Sequence, residues 1–188
     1  MTAQTFQLPD DCSPLIRAVF DYWVSIRPRD GLPGRRQFDP VEILPLSPNL
    51  WLVDVERNPL RFLIRRIGME IVNFTGHDPT GQYYDEIFPN FDASTAKKHM
   101  AHAAEMGMPA YRRGATNSNP KKTFIMSERI TLPMASDSVT VDMLLNLTSY
   151  SDAIGGEHVE LIGASLEDSL MLDAARESAC QSNIGNAG

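Results

Sequence analysis

Apolar residues recur along the chain with two periods. Leu15, Val19, Tyr22, Trp23 and Ile26 follow a helical spacing after Ser13-Pro14, a capping serine with proline in the first turn, and predict a helix over Pro14–Ile26. The next stretch, RPRDGLPGRRQFDPVEILPLSP, is crowded with Pro, Gly and Arg and predicts a connection with one short helical turn at Pro40–Ile43. Leu50–Val55 and Leu60–Ile67 have the length of paired strands, with Arg57-Asn58-Pro59 as the turn between them. Two short helices, Gly68–Phe74 and Tyr83–Phe88, flank turns at Gly76 and Gly81, where glycine admits a positive φ.

A longer helix starts at Asp92 or Ser94, runs to Glu105 with Ala93, Ala96, Met100 and Ala103 on one face, and stops at Gly107. Strands follow at Ala110–Ala115, Thr123–Pro133 and Val139–Tyr150. Val159–Ile162, after the Gly155-Gly156 break, either extends the sheet or belongs to the preceding loop. Ser165-Leu166-Glu167-Asp168 resembles a capping box and predicts a last helix to Ala179, with a loose tail beyond it. The order implies an α+β fold: a five-stranded antiparallel sheet covered by short helices, with flanking N- and C-terminal helices. It divides into an N-terminal helix and connection (1–47), a core (48–163) and a C-terminal helix and tail (164–188).

Composition narrows the functional classes. With 188 residues, 43% of them hydrophobic and 22% charged, the chain can bury one sizeable core. A formal net charge of −7 argues against broad nucleic-acid binding, which needs a surplus of Lys and Arg facing phosphate. No apolar run reaches membrane-spanning length and the N-terminus lacks the order of a signal peptide, so a cytoplasmic protein is expected. The two cysteines, Cys12 and Cys180, form no Cys-x-x-Cys or Cys/His cluster; a structural zinc is not expected and both thiols read as free. The sequence has no Gly-x-Ser-x-Gly, P-loop, paired-histidine metal helix or dinucleotide fingerprint, and no enzymatic activity is expected. Asp54, Asp142 and His158 have no spacing that demands catalysis.

Several segments, in this order, resemble the PAS domain superfamily, and within it short bacterial PAS proteins of alphaproteobacterial type. They are Tyr22-Trp23, FDPVEI from Phe38, LVDVE from Leu52, PLRFLIRRIG from Pro59, TGHDPTG from Thr75, ERITLPM from Glu128 and VDMLL from Val141. The resemblance implies a sensory or regulatory module of a signalling pathway. Such domains bind a small molecule, haem or flavin between sheet and helices, or act as ligand-free dimerisation modules. No kinase, cyclase or DNA-binding segment is recognised in the chain, so the output is expected to act in trans on a partner protein.

Two readings of the interior stand open: a cavity for a small apolar ligand, or an ordinary filled core. Phe62, Ile64, Ile71 and Phe74 are expected between sheet and helices, as are Met100, Met126 and Met143, whose thioethers can reshape around a guest. Ile87, Met106 and Leu145 are placed there too. In haem-binding relatives the axial histidine comes from the long helix. There His99 flanks the apolar stripe while His102 turns further out; the alternative is a partly exposed histidine beside Lys97 and Lys98. Flavin is not expected, because the reactive cysteine of the light-sensing branch is missing from the short helix after the second strand. His77 or Asp78 touching a ligand is weighed against simple turn chemistry.

Arg27, Arg29, Arg35 and Arg36 form a basic segment that either docks an acidic partner or is solvated. One member each of Arg65-Arg66 and Arg112-Arg113 is expected to pair with Asp54, Glu128 or Asp142. The Leu15–Ile26 stripe must cover its own sheet or a second subunit, and a homodimer through this N-terminal helix is expected, with the C-terminal helix as exit route for the signal.

Overall fold

The computed structural model describes residues 6–88, 90–115, 125–151 and the backbone of 159–162. By its internal contacts Leu8–Ile162 forms one compact unit. The expected helix at 165–179, the 155–156 break, His158, Cys180 and the tail lie outside the described residues, as does the start of the third-last expected strand at 123–124.

Among the described residues, four α-helices, α1 (Pro14–Ser25), α2 (Met69–Thr75), α3 (Tyr84–Ile87) and α4 (Thr95–Met106), accompany six strands. These are β1 (Leu50–Glu56), β2 (Arg61–Ile67), β3 (Ala110–Ala115), β4 (Met126–Met134), β5 (Met143–Ser151) and β6 (Val159–Ile162). They form one sheet in the order β2-β1-β5-β4-β3-β6, with every neighbouring pair antiparallel. The five-stranded antiparallel sheet expected from the sequence is present, and β6 extends it at the β3 edge, the first of the two alternatives for Val159–Ile162.

Two local expectations change, and between the two caps offered for the long helix one is chosen. The helical turn expected at Pro40–Ile43 is displaced to a 3₁₀ turn over Leu44–Asn49, where Pro45 supplies a fixed φ at the start. The strand expected from Val139 begins only at Met143, because Asp137 Oδ1 accepts the backbone N–H groups of Val139 and Thr140 and holds them in a turn. The long helix takes Ser94, not Asp92, as its cap: the Ser94 hydroxyl accepts the Lys97 N–H, while Asp92 sits in a 3₁₀ turn before it.

Residues paired across antiparallel strands share a face, so the register sorts the side chains. Ile130, Leu132 and Met134 of β4 stand with Leu147, Leu145 and Met143 of β5 on one face. The other face carries Arg129 and Thr131 of β4, Leu144, Asn146 and Thr148 of β5, and, through the pairing of β1 with β5, Trp51 and Val53.

Helix α1 covers the first face. Its buried residues are Ile16, Val19 and Trp23, and Leu15, Tyr22 and Ile26 are only half-buried, so the buried stripe is centred one residue off the expected one. At one end Glu128 Oε2 accepts both the Ser13 N–H (2.9 Å) and the Tyr111 hydroxyl (2.8 Å). At the other, the Trp23 indole N–H donates to the Pro133 carbonyl. Full burial of three such side chains contributes about 1.5–3 kcal/mol each. The stripe is thus met by the chain's own sheet. The opposite face is roofed by α2, α3 and α4, marked by contacts such as Lys97 Nζ over the Phe62 ring at 5.3 Å and Trp51 against Tyr84 at 5.5 Å between ring centroids.

Candidate functional site

A cavity lies on the helix-roofed face, between the β2–β1–β5 side of the sheet and the short helices. About 30 Å³ of it is open to the centres of water-sized groups. That is about two water spheres' worth, enough for a ligand of a few heavy atoms. Ile64, Trp51 and Tyr150 contribute from the sheet, Ile71 and Thr75 from α2, and Tyr84 and Phe88 from the α3 segment. The connection between α2 and α3 adds His77 and Pro79, and Arg129 reaches in from β4.

The short helices stand where they do for local reasons. Gly68 packs so closely on the carbonyls of Ser47 and Pro48 that a side chain cannot fit, and its N–H donates to the Leu50 carbonyl at 2.7 Å. This clamps the start of α2 to the 3₁₀ turn and β1. Gly76 ends the helix at φ 86°, a left-handed cap that turns His77 toward the cavity wall. Asp78 then accepts both the N–H and the hydroxyl of Thr80, and these bonds hold its carboxyl below the usual carboxylate range. Asp78 therefore serves the turn and does not line the cavity, whereas His77 does.

The sheet side of the site is a polar row set in apolar surroundings. The Thr148 hydroxyl accepts the Trp51 indole N–H at 3.1 Å and the Arg129 Nε–H at 3.3 Å. The Arg129 guanidinium lies over the Trp51 ring, 5.0 Å from its centroid. Next along the strands, the buried Thr131 hydroxyl donates to the Asn146 carboxamide oxygen at 2.8 Å. Burial pushes the phenols of Tyr84 and Tyr150 up from the usual tyrosine value, with Arg129 opposing in both cases. Both are therefore neutral hydroxyls at physiological pH. Tyr150 is held by Phe74, stacked on it with centroids 3.9 Å apart.

The expected site residues separate into three groups. Ile64 and Ile71 line the cavity. Phe62, Phe74 and Met100 are buried in the neighbourhood of the roofing helices without lining it. Met143 and Leu145 stand on the opposite face against α1, and Met126 shares that face at the strand end, half-buried, so these three are corrected. The cause is that β5 is apolar on both sides, so parity alone does not say which side faces the short helices. Met106 is 65% exposed and Ile87 half-buried, and neither lines the cavity.

His99 is buried and His102 less so, the order expected from helical geometry, but neither lines the cavity. Haem does not fit this site: cavities for ligands of that size run to about 300–1,000 Å³. Cys12 is buried at the start of α1, beside Arg17 and Glu128, with burial raising its thiol pKa.

Sequence reasoning missed Trp51, Tyr84, Arg129 and Tyr150. The alternation Trp51-Val53-Val55 in β1 was a usable signal, since Ile64 pairs with Val53 and so shares its face. Of the arginines, Arg65 pairs with Asp54 as expected, at 2.5 Å. Arg35 of the basic segment meets the same carboxylate at 2.6 Å, and Arg113 pairs with Asp11 rather than with any of the expected acids. Among the described residues no group of His, Cys, Asp and Glu could hold a metal ion, and no helix is long and apolar enough to cross a membrane.

An antiparallel sheet with one face under a terminal helix and the other under short helices enclosing a small cavity is an α+β module. A family model described as a PAS domain matches residues 12–148, and the chain belongs to that family. No curated protein and no solved structure matched it. PAS domains are generally sensory and interaction modules of signalling pathways, and membership of the family points to a sensory or regulatory role.

Proposed function

We propose that this protein is a cytoplasmic bacterial sensor that binds a small ligand in its core cavity and acts in trans on a signalling partner. The observation that carries the reading is the cavity itself. It is lined by side chains of four sheet strands, both short helices and the loop between those helices. A guest there touches elements whose relative placement can change, and it shifts their balance to the extent that it binds one arrangement more tightly. Native mass spectrometry of the purified protein, followed by a screen of small metabolites, tests it. A bound or bindable molecule in one-to-one ratio is expected; a protein that retains and binds none overturns the reading.

The second reading, a ligand-free interaction module, draws on the density of the interior, where Phe62, Ile64, Met100 and Leu144 are all essentially inaccessible. In that case the protein works as a dimeric adaptor. Since the α1 stripe covers its own sheet, a homodimer through the N-terminal helix would use its outward side, where Val24 is 48% exposed. Light scattering across a concentration series distinguishes monomer from dimer.

A further inference from the structure

The charges around the cavity are one-sided. Its wall holds an arginine, two tyrosines, a threonine and a histidine, and no Asp or Glu. The chain as a whole carries a net charge of −7, and no acid among the described residues stands on the cavity wall. Arg129 bonds only through Nε, to Thr148, and rests its guanidinium face on Trp51. Among the described residues its two terminal nitrogens have no hydrogen bond and no carboxylate at ion-pair distance. By contrast, among the described residues Arg27, Arg35, Arg61, Arg65 and Arg113 each have a terminal nitrogen hydrogen-bonded or ion-paired. Tyr84 is buried, and its hydroxyl likewise makes no hydrogen bond with a described residue.

Positive charge and unspent donors beside an apolar wall match one ligand chemistry. We propose that the cavity recognises a small monocarboxylate, its carboxylate held by the Arg129 guanidinium and the tyrosine hydroxyls, its short apolar stem against Ile64, Ile67 and Ile71. The proposal rests on the sensor reading above and names the ligand class for the same cavity. A guanidinium offers two parallel N–H donors to a carboxylate, and this pairing is stronger than one between neutral groups. The Thr148 bond and the Trp51 ring fix the guanidinium beforehand, so little side-chain freedom remains to be lost on binding. The size of the cavity limits the stem to one or two carbons. One cation suits a monoanion better than a phosphate dianion.

The two tryptophans make the test specific. Trp51 lines the cavity, while Trp23 lies on the opposite face and serves as an internal reference. The ¹⁵N-labelled full chain is titrated with sodium acetate, and separately with acetamide, at matched ionic strength. Acetate is expected to shift the Trp51 indole resonance saturably and to leave Trp23 in place, with acetamide at least about tenfold weaker. Arg129→Gln is expected to weaken acetate about ten- to a hundredfold, the worth of a hydrogen bond to a charged group, and to leave acetamide unchanged. Arg129→Lys, which keeps the charge but loses the two-pronged donor, should bind acetate with an affinity between those of the parent and the Gln variant, and guards against misfolding of the latter.

If acetamide binds as well as acetate, or if Arg129→Gln leaves acetate unaffected, the carboxylate assignment falls while the sensor reading stands. If neither compound moves Trp51, the carboxylate assignment falls as well, and the metabolite screen then decides whether the sensor reading goes with it.

Discussion

Trp23 and Pro133 are joined by a buried hydrogen bond, the indole N–H donating to the proline carbonyl at 2.9 Å. The bond explains how a proline is tolerated within β4. Pairing between β3 and β4 ends at Ala110 with Thr131, so Pro133 lies beyond the reach of β3 and its missing N–H interrupts no ladder. Its carbonyl, which would also lack a strand partner there, is taken by the indole.

Replacing Trp23 by phenylalanine removes this donor and leaves volume unfilled. Trp23→Phe is expected to destabilise the fold by about 2 kcal/mol, from a lost buried hydrogen bond and a partial cavity. Urea unfolding followed by circular dichroism measures the change. A loss below about 0.5 kcal/mol would show that α1 is not anchored by this contact.

Gly68 adopts φ −76°, which any residue can take, so its role is space and not conformation. A methyl group at Gly68→Ala meets the carbonyls of Ser47 and Pro48. Backbone atoms cannot swing aside, and the substitution is expected to cost about 1–3 kcal/mol. Its effect should extend to the cavity, visible as altered resonances of Ile71 and Thr75. A variant as stable as the parent contradicts the close packing.

Ile64 and Met143 are both fully buried but stand on opposite faces. Ile64→Ala and Met143→Ala should each destabilise by about 2–5 kcal/mol. Only the first enlarges the cavity. Xenon uptake, read by crystallography under gas pressure, should therefore rise at the cavity in Ile64→Ala and stay at the parent level there in Met143→Ala. The reverse pattern would undo the assignment of faces.

Alkaline pH supplies another test. Burial raises the folded-state pKa of Tyr84, and burial together with the bond to Glu128 raises that of Tyr111. Their stabilising effect is complete below the unfolded tyrosine value of about 10 and declines as the pH climbs from there toward the folded values. The slope is about 1.4 kcal/mol per pH unit for each group fully protonated in the folded state and ionised in the unfolded one. Absorbance at 295 nm should show these tyrosines ionising together with unfolding, and Tyr84→Phe should flatten the decline. Free titration of all five tyrosines near pH 10 in the folded protein would contradict it.

Much of the fold was legible because neighbouring signals agreed. Ser13-Pro14 marked the start of α1, Gly107 the end of α4, and the strand expected at Ala110–Ala115 coincided with β3 to the residue. The cavity was less legible. Met143, Leu144, Leu145 and Leu147 are all buried, so β5 carries no alternation from which to read a face. Which side meets the short helices depends on pairing with β1, which lies about ninety positions earlier in the chain. Arg129 was hidden for a related reason. In a strand it reads as a solvent-facing charge, and only the register with Thr148 and the overhead position of Trp51 make it a wall of the cavity.

The two-sided burial of β5 has a mechanical result. Leu144 and Leu145 are successive residues, one under the roof of short helices and the other beneath the terminal helix. The cavity and α1 are therefore separated by the thickness of a single strand. Any displacement of β5 would be felt on both sides of the sheet at once, without a relay of intervening side chains.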